Sequence, residues 1–382
     1  MRRSEPLPEA LDAGYVAELT ALAAPYGITR TGVAPATVMT RARVELHRRR
    51  DAGLHDGMQF TYKNPDRSTD PGAAVRDAKA VFVAARPYLL AEPATHDDGS
   101  EHVAARVARY AWTDHYAPLR EGLWAVAHRL RRDGWKAVAF ADDNSMVDRE
   151  IAYRAGIGWF GKNANLLIPG AGSFFVLGSV VTTAPLPVVA ADDRVADGCG
   201  SCRRCLDGCP TGAIVDVGVV DAARCLAWLL QKPGTFPREH RVALGDRLYG
   251  CDDCQEVCPP TVRLGAKRAT ADPAVATGTP VEASVDALEL LEADDEHLLA
   301  RWGRWYLADR DPRWHRRNAL IVVGNSGGRG ARVQHLLGHY LAHDDPVLRA
   351  HAVWSARRLG LHHLLPVDDP HPDVLAELSA PL

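Results

Sequence analysis

The chain lacks the features that would place it in a membrane. None of its 382 residues belong to an apolar run long enough to cross a bilayer, so no transmembrane helix is expected. The pair Arg2-Arg3 looks like the start of a twin-arginine export signal, but the polar residues that follow supply no apolar segment. We therefore expect a cytoplasmic protein with no membrane partner and treat the arginine pair as a solvated start.

An excess of basic charge is also missing. The 45 Lys and Arg residues are balanced by 48 Asp and Glu residues, for a formal net charge of −3. This balance excludes nucleic-acid binding through a global positive field and leaves only a local basic patch. Hydrophobic residues make up 47% of the chain, which suffices for the cores of two or three domains.

Cysteine is scarce, and seven of the eight cysteines fall in two short runs. The runs are Cys199-x2-Cys202-x2-Cys205-x3-Cys209-Pro210 and Cys251-x2-Cys254-x3-Cys258-Pro259. The first matches the run of bacterial ferredoxins that carry two 4Fe–4S clusters, in which the fourth cysteine ligates the other cluster. Zinc ribbons usually show two CxxC pairs, and disulfides suit short secreted chains. The pattern therefore favours iron–sulfur clusters and single-electron transfer.

Two 4Fe–4S clusters need eight thiolate ligands, and the runs supply seven. The eighth is Cys225, on a helix predicted from Asp221 to Leu230. The predicted ligand sets are Cys199, Cys202, Cys205 and Cys258 for the first cluster, and Cys209, Cys225, Cys251 and Cys254 for the second. No thiol remains for catalysis, so the reactive chemistry would belong to a separate group.

Upstream of the cysteines, predicted helices alternate with predicted strands, so residues 1–190 should form an α/β or α+β domain. The expected helices cover 8–24, 36–50, 119–132 and 148–155, and the expected strands cover 28–34, 80–85, 136–141, 166–168 and 174–182. Residues 191–262 would form the ferredoxin-like domain, followed by a linker over 263–279. Residues 280–382 should be helical, with similar units at 313–328 and 345–360 that favour HEAT-like repeats packed on the iron–sulfur domain.

A glycine-rich segment, Gly156-Ile157-Gly158-Trp159-Phe160-Gly161-Lys162, satisfies GxGxxG and approaches a P-loop. It follows a predicted helix and precedes strands, which is the reverse of the dinucleotide-binding context. Asn163 also stands where a P-loop needs Ser or Thr. We therefore do not expect nucleotide binding here. The glycines instead indicate a sharp bend or the close approach of a flat ligand.

Six segments carry a family resemblance. They are ADDNSMVDREIAYRAGIGWFGKN, GSFFVLGSVVT, CGSCRRCLDGCPTGAI, DAARCLAWL, YGCDDCQEVCP and RRNALIVVGN. In this order they resemble the epoxyqueuosine reductase family over about residues 55–360. The resemblance implies an α+β multidomain oxidoreductase that reduces epoxyqueuosine to queuosine at the wobble position of tRNA. Two 4Fe–4S clusters would relay electrons to base-off cobalamin beside the first cluster.

The resemblance implies that Asp142 is the proton donor, because it opens the stretch that matches the family's D-x-x-P-x-x-E-R. Ser145 and Asp148 replace the family's Pro and Glu, and Ala117 stands where the family has a His. These departures leave the electron relay intact but bear on the substrate. Without the resemblance, Asp142 and its neighbour would be read as turn residues after a strand.

The resemblance also implies cofactor and RNA contacts. The implied cobalamin contacts are Lys63, Arg67, Asp142, Gly158, Trp159, Gly161, Lys162, Asn163 and Ser173. The candidate tRNA contacts are Arg203, Arg204, Arg224, Arg313, Arg316 and Arg317. The alternatives are ordinary surface charge or core for the first group, and pairing with the acidic runs Asp294–His297 and His343–Pro346 for the arginines.

Two other functions fit the same cysteines. One is a cobalamin-dependent reductase of a small molecule, similar to a dehalogenase; the other is a non-catalytic carrier with two clusters. The family reading predicts a monomer that takes electrons from an external donor such as ferredoxin or flavodoxin.

Overall fold

The structure is a computed structural model that describes residues 8–90, 92–93, 101–268 and 281–381. The strands are β1 (Arg30–Pro35), β2 (Ala80–Pro87), β3 (Ala104–Val107), β4 (Ala137–Ala141), β5 (Trp159–Phe160), β6 (Leu166–Leu167), β7 (Phe175–Thr182), β8 (Ile214–Asp216), β9 (Val219–Val220), β10 (Arg247–Tyr249) and β11 (Ser284–Asp286). The helices are α1 (Ala13–Ala23), α2 (Thr40–Asp51), α3 (Pro65–Ser68), α4 (Pro71–Ala74), α5 (Tyr116–Arg132), α6 (Asp148–Arg154), α7 (Arg204–Asp207), α8 (Leu226–Leu229), α9 (Arg238–Leu244), α10 (Asp253–Glu256), α11 (Pro259–Arg268), α12 (Ala287–Glu292), α13 (Asp295–Trp302), α14 (Arg313–Ser326), α15 (Ala331–Leu341), α16 (Pro346–Arg358) and α17 (Pro372–Ser379).

A four-stranded sheet in the order β1-β2-β7-β4 organises the N-terminal region. Along β2, Phe82 packs on the face covered by α1 and α5, while Val81 and Val83 pack on the opposite face with Met39 and Ile151. Such alternation follows from the two-residue period of a strand, so both faces are buried. All neighbouring strands in this sheet are antiparallel, which makes the region α+β rather than α/β.

A second sheet joins distant parts of the chain. Strand β3 pairs in parallel with β10 and antiparallel with β11, in the order β10-β3-β11. Its core also contains the buried faces of α12, α14, α15 and α16. Residues from all three predicted domains therefore share one core, so the divisions at 190 and 262 do not separate independent cores.

The cysteine segment is built from short elements. Helices α7 and α10, one from each cysteine run, pack against each other. The hairpin β8–β9 follows the first run. Cys225 is not inside a helix as predicted, because it lies in an extended conformation between the 3-10 helix Ala222–Arg224 and α8.

Most predicted elements are confirmed, with boundaries moved by a few residues. The segments predicted to repeat form α14 and α16, which pack together. The HEAT-like description of these helices remains a prediction. The prediction of a linker over 263–279 is partly wrong, because the residues up to Arg268 belong to α11. The rest of the predicted linker lies outside the described residues, and so does the pair Arg2-Arg3. Within the described part of the chain, no helix combines the length and the apolar character that crossing a bilayer requires.

Candidate active site and iron–sulfur centre

Asp142 stands directly after β4, where the chain leaves the sheet. Its backbone is left-handed, with φ of 53°, which turns the chain sharply toward α6. Asp143 holds this turn, because its carboxylate accepts a hydrogen bond of 2.7 Å from the backbone N–H of Ser145. Asp142 itself is exposed and, within the described residues, makes no side-chain hydrogen bond or ion pair. The interpretation of these residues as turn residues therefore fits Asp143, whereas the Asp142 carboxyl stays available for chemistry.

The pKa of Asp142 depends on its neighbours. Although Asp142 is exposed, the protein around its carboxyl removes part of its hydration and raises its pKa; Arg120 opposes this rise and Asp143 adds to it. Burial and the charge of Asp142 raise the pKa of Asp148 well above its usual range. Burial, Asp142 and Asp148 also raise the pKa of Tyr116. All three side chains still reach solvent, and we call the place where they interact the recess; burial there favours the protonated form of the two carboxyl groups.

Arg149 connects this recess to the cysteines. Its positive charge lowers the pKa of Tyr116 and Asp148, against the larger effect of burial. It acts in the same sense on Cys225, whose pKa burial raises. Arg149 therefore lies near the carboxyl groups and near Cys225. Cys225 belongs to the second predicted cysteine set, whereas the sequence predicted cobalamin beside the first, and that placement stays a prediction.

The eight cysteines are all free thiols and separate into two groups by their mutual electrostatics. After burial, the neighbours that raise the pKa of Cys205 are Cys258 and Cys199, and those that raise the pKa of Cys258 are Cys199 and Cys202. For Cys254, the corresponding thiols are Cys251, Cys225 and Cys209. No thiol of one group affects the other in these interactions. The grouping matches the predicted ligand sets, including the place of Cys225.

Hydrogen bonds from the surrounding backbone reach the sulfurs. The N–H of Ala213 donates to Cys209 Sγ at 3.2 Å. The backbone N–H groups of Trp228 and Ala227 act on Cys225 and partly offset the effect of burial on its pKa. Donors of this kind stabilise thiolates and help to set the potential of a cluster. The donor set therefore fits two 4Fe–4S clusters, in chemistry as well as in number.

His115, which precedes Tyr116 in the sequence, was not among the predicted site residues. Its Nδ1 accepts a hydrogen bond of 2.8 Å from Arg86, and its ring lies 5.8 Å from that of Tyr88. Burial and Arg86 lower the pKa of His115 to about 3, so the ring is neutral. Its Nε2 is buried and has no hydrogen-bond partner among the described residues. The sequence contains a sign of it, because the chain has His115-Tyr116 where the family resemblance leads one to expect a Tyr followed by a His.

Comparison with known proteins agrees with this geometry. A profile described as a 4Fe-4S double cluster binding domain matches residues 198–261. The epoxyqueuosine reductase of Burkholderia pseudomallei is 32% identical over 401 residues, covering 92% of this chain and 94% of that protein. The enzyme of Xanthomonas campestris is 31% identical and covers 93% and 98%. The chain belongs to the epoxyqueuosine reductase family.

Solved structures extend the similarity to the whole fold. A crystal structure of an epoxyqueuosine reductase with an epoxyqueuosine-modified tRNA-Tyr stem loop has a TM-score of 0.82 and 26% identity. It covers 95% of this chain and 97% of that chain. The multidomain α+β architecture with a double 4Fe–4S segment is therefore shared with this family.

Several cobalamin contacts predicted from the epoxyqueuosine reductase resemblance are used inside the protein. An added Cβ at Gly158 or Gly161 would overlap Leu167. Trp159 is buried against Cys258. The remaining three side chains each make an internal hydrogen bond: Lys162 to the carbonyl of Gly200, Asn163 to the carbonyl of Cys254, and Ser173 to Gln255. These contacts join this part of the chain to the cysteine segment and give the side chains a structural role, and their contact with cobalamin stays a prediction.

Lys63 and Arg67 fit a cobalamin site better. Both are exposed, and neither charged group has a partner among the described residues. Lys63 directly follows the 3-10 helix Phe60–Tyr62, and Arg149 influences the pKa of Tyr62, which burial raises. Exposed cations of this kind suit the amides and phosphate of cobalamin, and its binding by Lys63 and Arg67 stays a prediction.

Of the six arginines predicted to contact tRNA, three make contacts inside the protein and three are exposed. Arg317 is fully buried and donates to the carbonyls of Lys232 and Gly234, so it is not a surface residue and the prediction for it is wrong. Arg313 pairs with Asp345 at 2.7 Å and Arg316 pairs with Asp295, as the alternative reading of the acidic runs proposed. The remaining three are exposed, and their role stays a prediction: Arg203, Arg204 and Arg224.

Proposed function

We propose that this chain reduces epoxyqueuosine to queuosine at the wobble position of tRNA. The observation that carries the proposal is the group of Asp142, Asp148 and Tyr116, whose charges interact and which shares the neighbour Arg149 with the predicted cluster ligand Cys225. This shared neighbour supports a proton source close to an electron source. Membership of the epoxyqueuosine reductase family supplies the substrate.

The reaction needs both sources. Loss of the epoxide oxygen as water, with formation of a C=C bond, consumes two electrons and two protons. When bound, cobalamin would supply a low-valent cobalt centre that delivers electrons to the substrate. The protein's own contribution is to hold protons on carboxyl groups of raised pKa, and the most accessible of these is Asp142.

The wobble nucleotide lies in a single-stranded loop, so it can enter a recess at lower cost than a base in a duplex. Arg224 is exposed beside Cys225 and could contact the RNA backbone there. We further propose a cytoplasmic monomer that obtains its electrons from a ferredoxin or flavodoxin. The three predicted regions 1–190, 191–262 and 280–382 would divide the work into cofactor binding, electron transfer and RNA binding.

The test is anaerobic reconstitution with iron, sulfide and cobalamin, followed by tRNA that contains epoxyqueuosine. We expect mass spectrometry of the nucleosides to show queuosine. Asp142→Asn should retain the cluster and cobalamin spectra and lose turnover. The matched control is Asp193→Asn, which changes an exposed carboxyl outside the recess and should turn over normally. Full activity of Asp142→Asn would remove Asp142 as the proton donor, and absence of queuosine with the unmodified chain would reject the proposed function.

A further inference from the structure

The first cysteine set opens to the surface through a space of about 850 Å³, part of which the cluster itself would fill, and the neighbouring residues Gly200, Ser201, Arg203 and Arg204 are exposed. Two cluster ligands, Cys199 and Cys202, are among the residues that line it. The side chains around its opening, which we call the first-set rim, are Lys162, Arg203, Arg204, Val262 and Arg263. The first predicted cluster would therefore lie close to an external partner.

The first-set rim carries positive charge with little compensation. Arg204 and Arg263 are exposed and have no acidic partner among the described residues. Arg203 contacts Asp207 at 3.3 Å, but both side chains are about two-thirds exposed, so this pair is weak. Lys162 adds a further cation, with its Nζ 2.7 Å from the carbonyl of Gly200.

A second cavity, of about 430 Å³, gives a useful contrast. It reaches Cys251 of the other set and also contains arginines. These arginines are paired: Arg247 with Asp253, and Arg109 with Glu256 at 3.4 Å. Charge at this opening is therefore largely neutralised inside the protein, and it offers less attraction to a charged partner.

The positions of the two sets give the transfer a direction. The first set opens to the surface beside cations without strong partners, whereas the arginines at the opening of the second set are paired, so the first set is the one that an outside donor can approach. We propose that the first-set rim is the docking surface for an acidic one-electron carrier protein. This inference rests on the proposed function. In each encounter, the reduced carrier loses one electron and the first cluster gains it, and two encounters supply the two electrons that one epoxide requires.

The composition of the first-set rim suits such a partner. Cations around an opening steer an acidic protein and fix its orientation, with an effect that falls as salt rises. Val262 is 49% exposed among these cations and offers an apolar contact at the centre of the rim. Arg203 and Arg204, which the sequence assigned to tRNA, would then serve protein docking.

The test compares Arg204→Glu/Arg263→Glu with Arg132→Glu, a charge reversal on α5 whose side chain is 74% exposed. The probe is a flavodoxin with net negative charge, titrated calorimetrically into the anaerobically reconstituted protein. At low ionic strength, we expect the double variant to bind flavodoxin about tenfold more weakly or worse, because two attractive contacts become repulsive. The difference should shrink at high ionic strength, and Arg132→Glu should bind normally.

Two further measurements separate the alternatives. Stopped-flow reduction of the clusters by reduced flavodoxin should slow in the double variant, whereas reduction by dithionite should not. The affinity for an anticodon stem loop should be unchanged. Equal flavodoxin affinity in the double variant and the unmodified chain would overturn the proposal, and a tenfold loss of stem-loop affinity would assign the rim to RNA instead. Failure of the proposed function would appear separately, as absence of queuosine with dithionite as reductant.

Discussion

Arg317 offers a sharp test of how the C-terminal helices support the iron–sulfur segment. Its buried guanidinium donates to four carbonyls, that of Leu229 at the end of α8 and those of Leu230, Lys232 and Gly234 just after it. Arg317→Met keeps most of the volume and removes every donor. The Leu230 carbonyl keeps its hydrogen bond from Asn318, so at about 1 kcal/mol for each of the other three we expect a loss of about 3 kcal/mol in stability.

The loss can be measured as a shift in the midpoint of thermal unfolding, followed by circular dichroism under anaerobic conditions. For a large domain, about 3 kcal/mol corresponds to a fall of about 6–12 °C. Arg317→Lys retains the charge but loses the planar fork, so a smaller fall is expected. Arg313→Met is the matched control on the same helix, because Arg313 is 41% exposed and its ion pairs contribute little.

A second effect should accompany the first. The carbonyls that Arg317 holds lie at the end of α8 and just after it, so their release should loosen the backbone that presents Cys225. We expect Arg317→Met to lose iron faster than the control when challenged with a chelator. An unchanged unfolding midpoint, combined with weaker binding of an anticodon stem loop, would refute this reasoning and restore Arg317 as an RNA contact.

Three further predictions concern the site. Burial raises the pKa of Asp142, so its acid form persists to higher pH and turnover should fall as pH rises through that pKa. Asp143→Asn removes a negative neighbour and should move this limb of the pH–rate profile to lower pH. Arg120→Gln removes a positive neighbour and should move the same limb to higher pH. If the two variants moved this limb in the same direction, Asp143 and Arg120 would not act on Asp142 through their opposite charges. Cys225→Ala should retain about half of the iron, since one cluster loses a ligand, and full iron content would contradict the ligand assignment. Lys63→Glu should weaken cobalamin uptake without changing the iron content, as spectroscopic titration can show.

Local pattern predicted the N-terminal region well, because each of its helices and strands carries its own periodicity. Strand β2 is a continuous apolar run, and α5 has a clear apolar stripe. The strands β3, β10 and β11 were not predicted. Each has only three or four residues, and they become strands through pairing between distant segments, which no local pattern records.

At the site, cysteine spacing predicted the double 4Fe–4S segment because cluster geometry constrains spacing directly. Burial of arginines was harder to foresee. Nothing in the sequence distinguishes Arg317 from Arg313 and Arg316 on the same helix. It is buried because its guanidinium binds the carbonyls of a segment more than eighty residues earlier. His115 was overlooked because its order with Tyr116 is reversed, although the structure still brings a neutral imidazole to Tyr88.

The three-stranded sheet restricts how this protein can be divided. A fragment that stops after the second cysteine run would keep β3 and β10 but lose β11, and with it the pairing of Ala104 with Asp286 and of Ala105 with Val285. It would also uncover the apolar faces that α12 and α14 bury. The helical region is therefore not an appendage that could be exchanged as a cassette between relatives. Deletions and chimeras should respect the strand at Ser284–Asp286 as part of the electron-transfer half of the molecule.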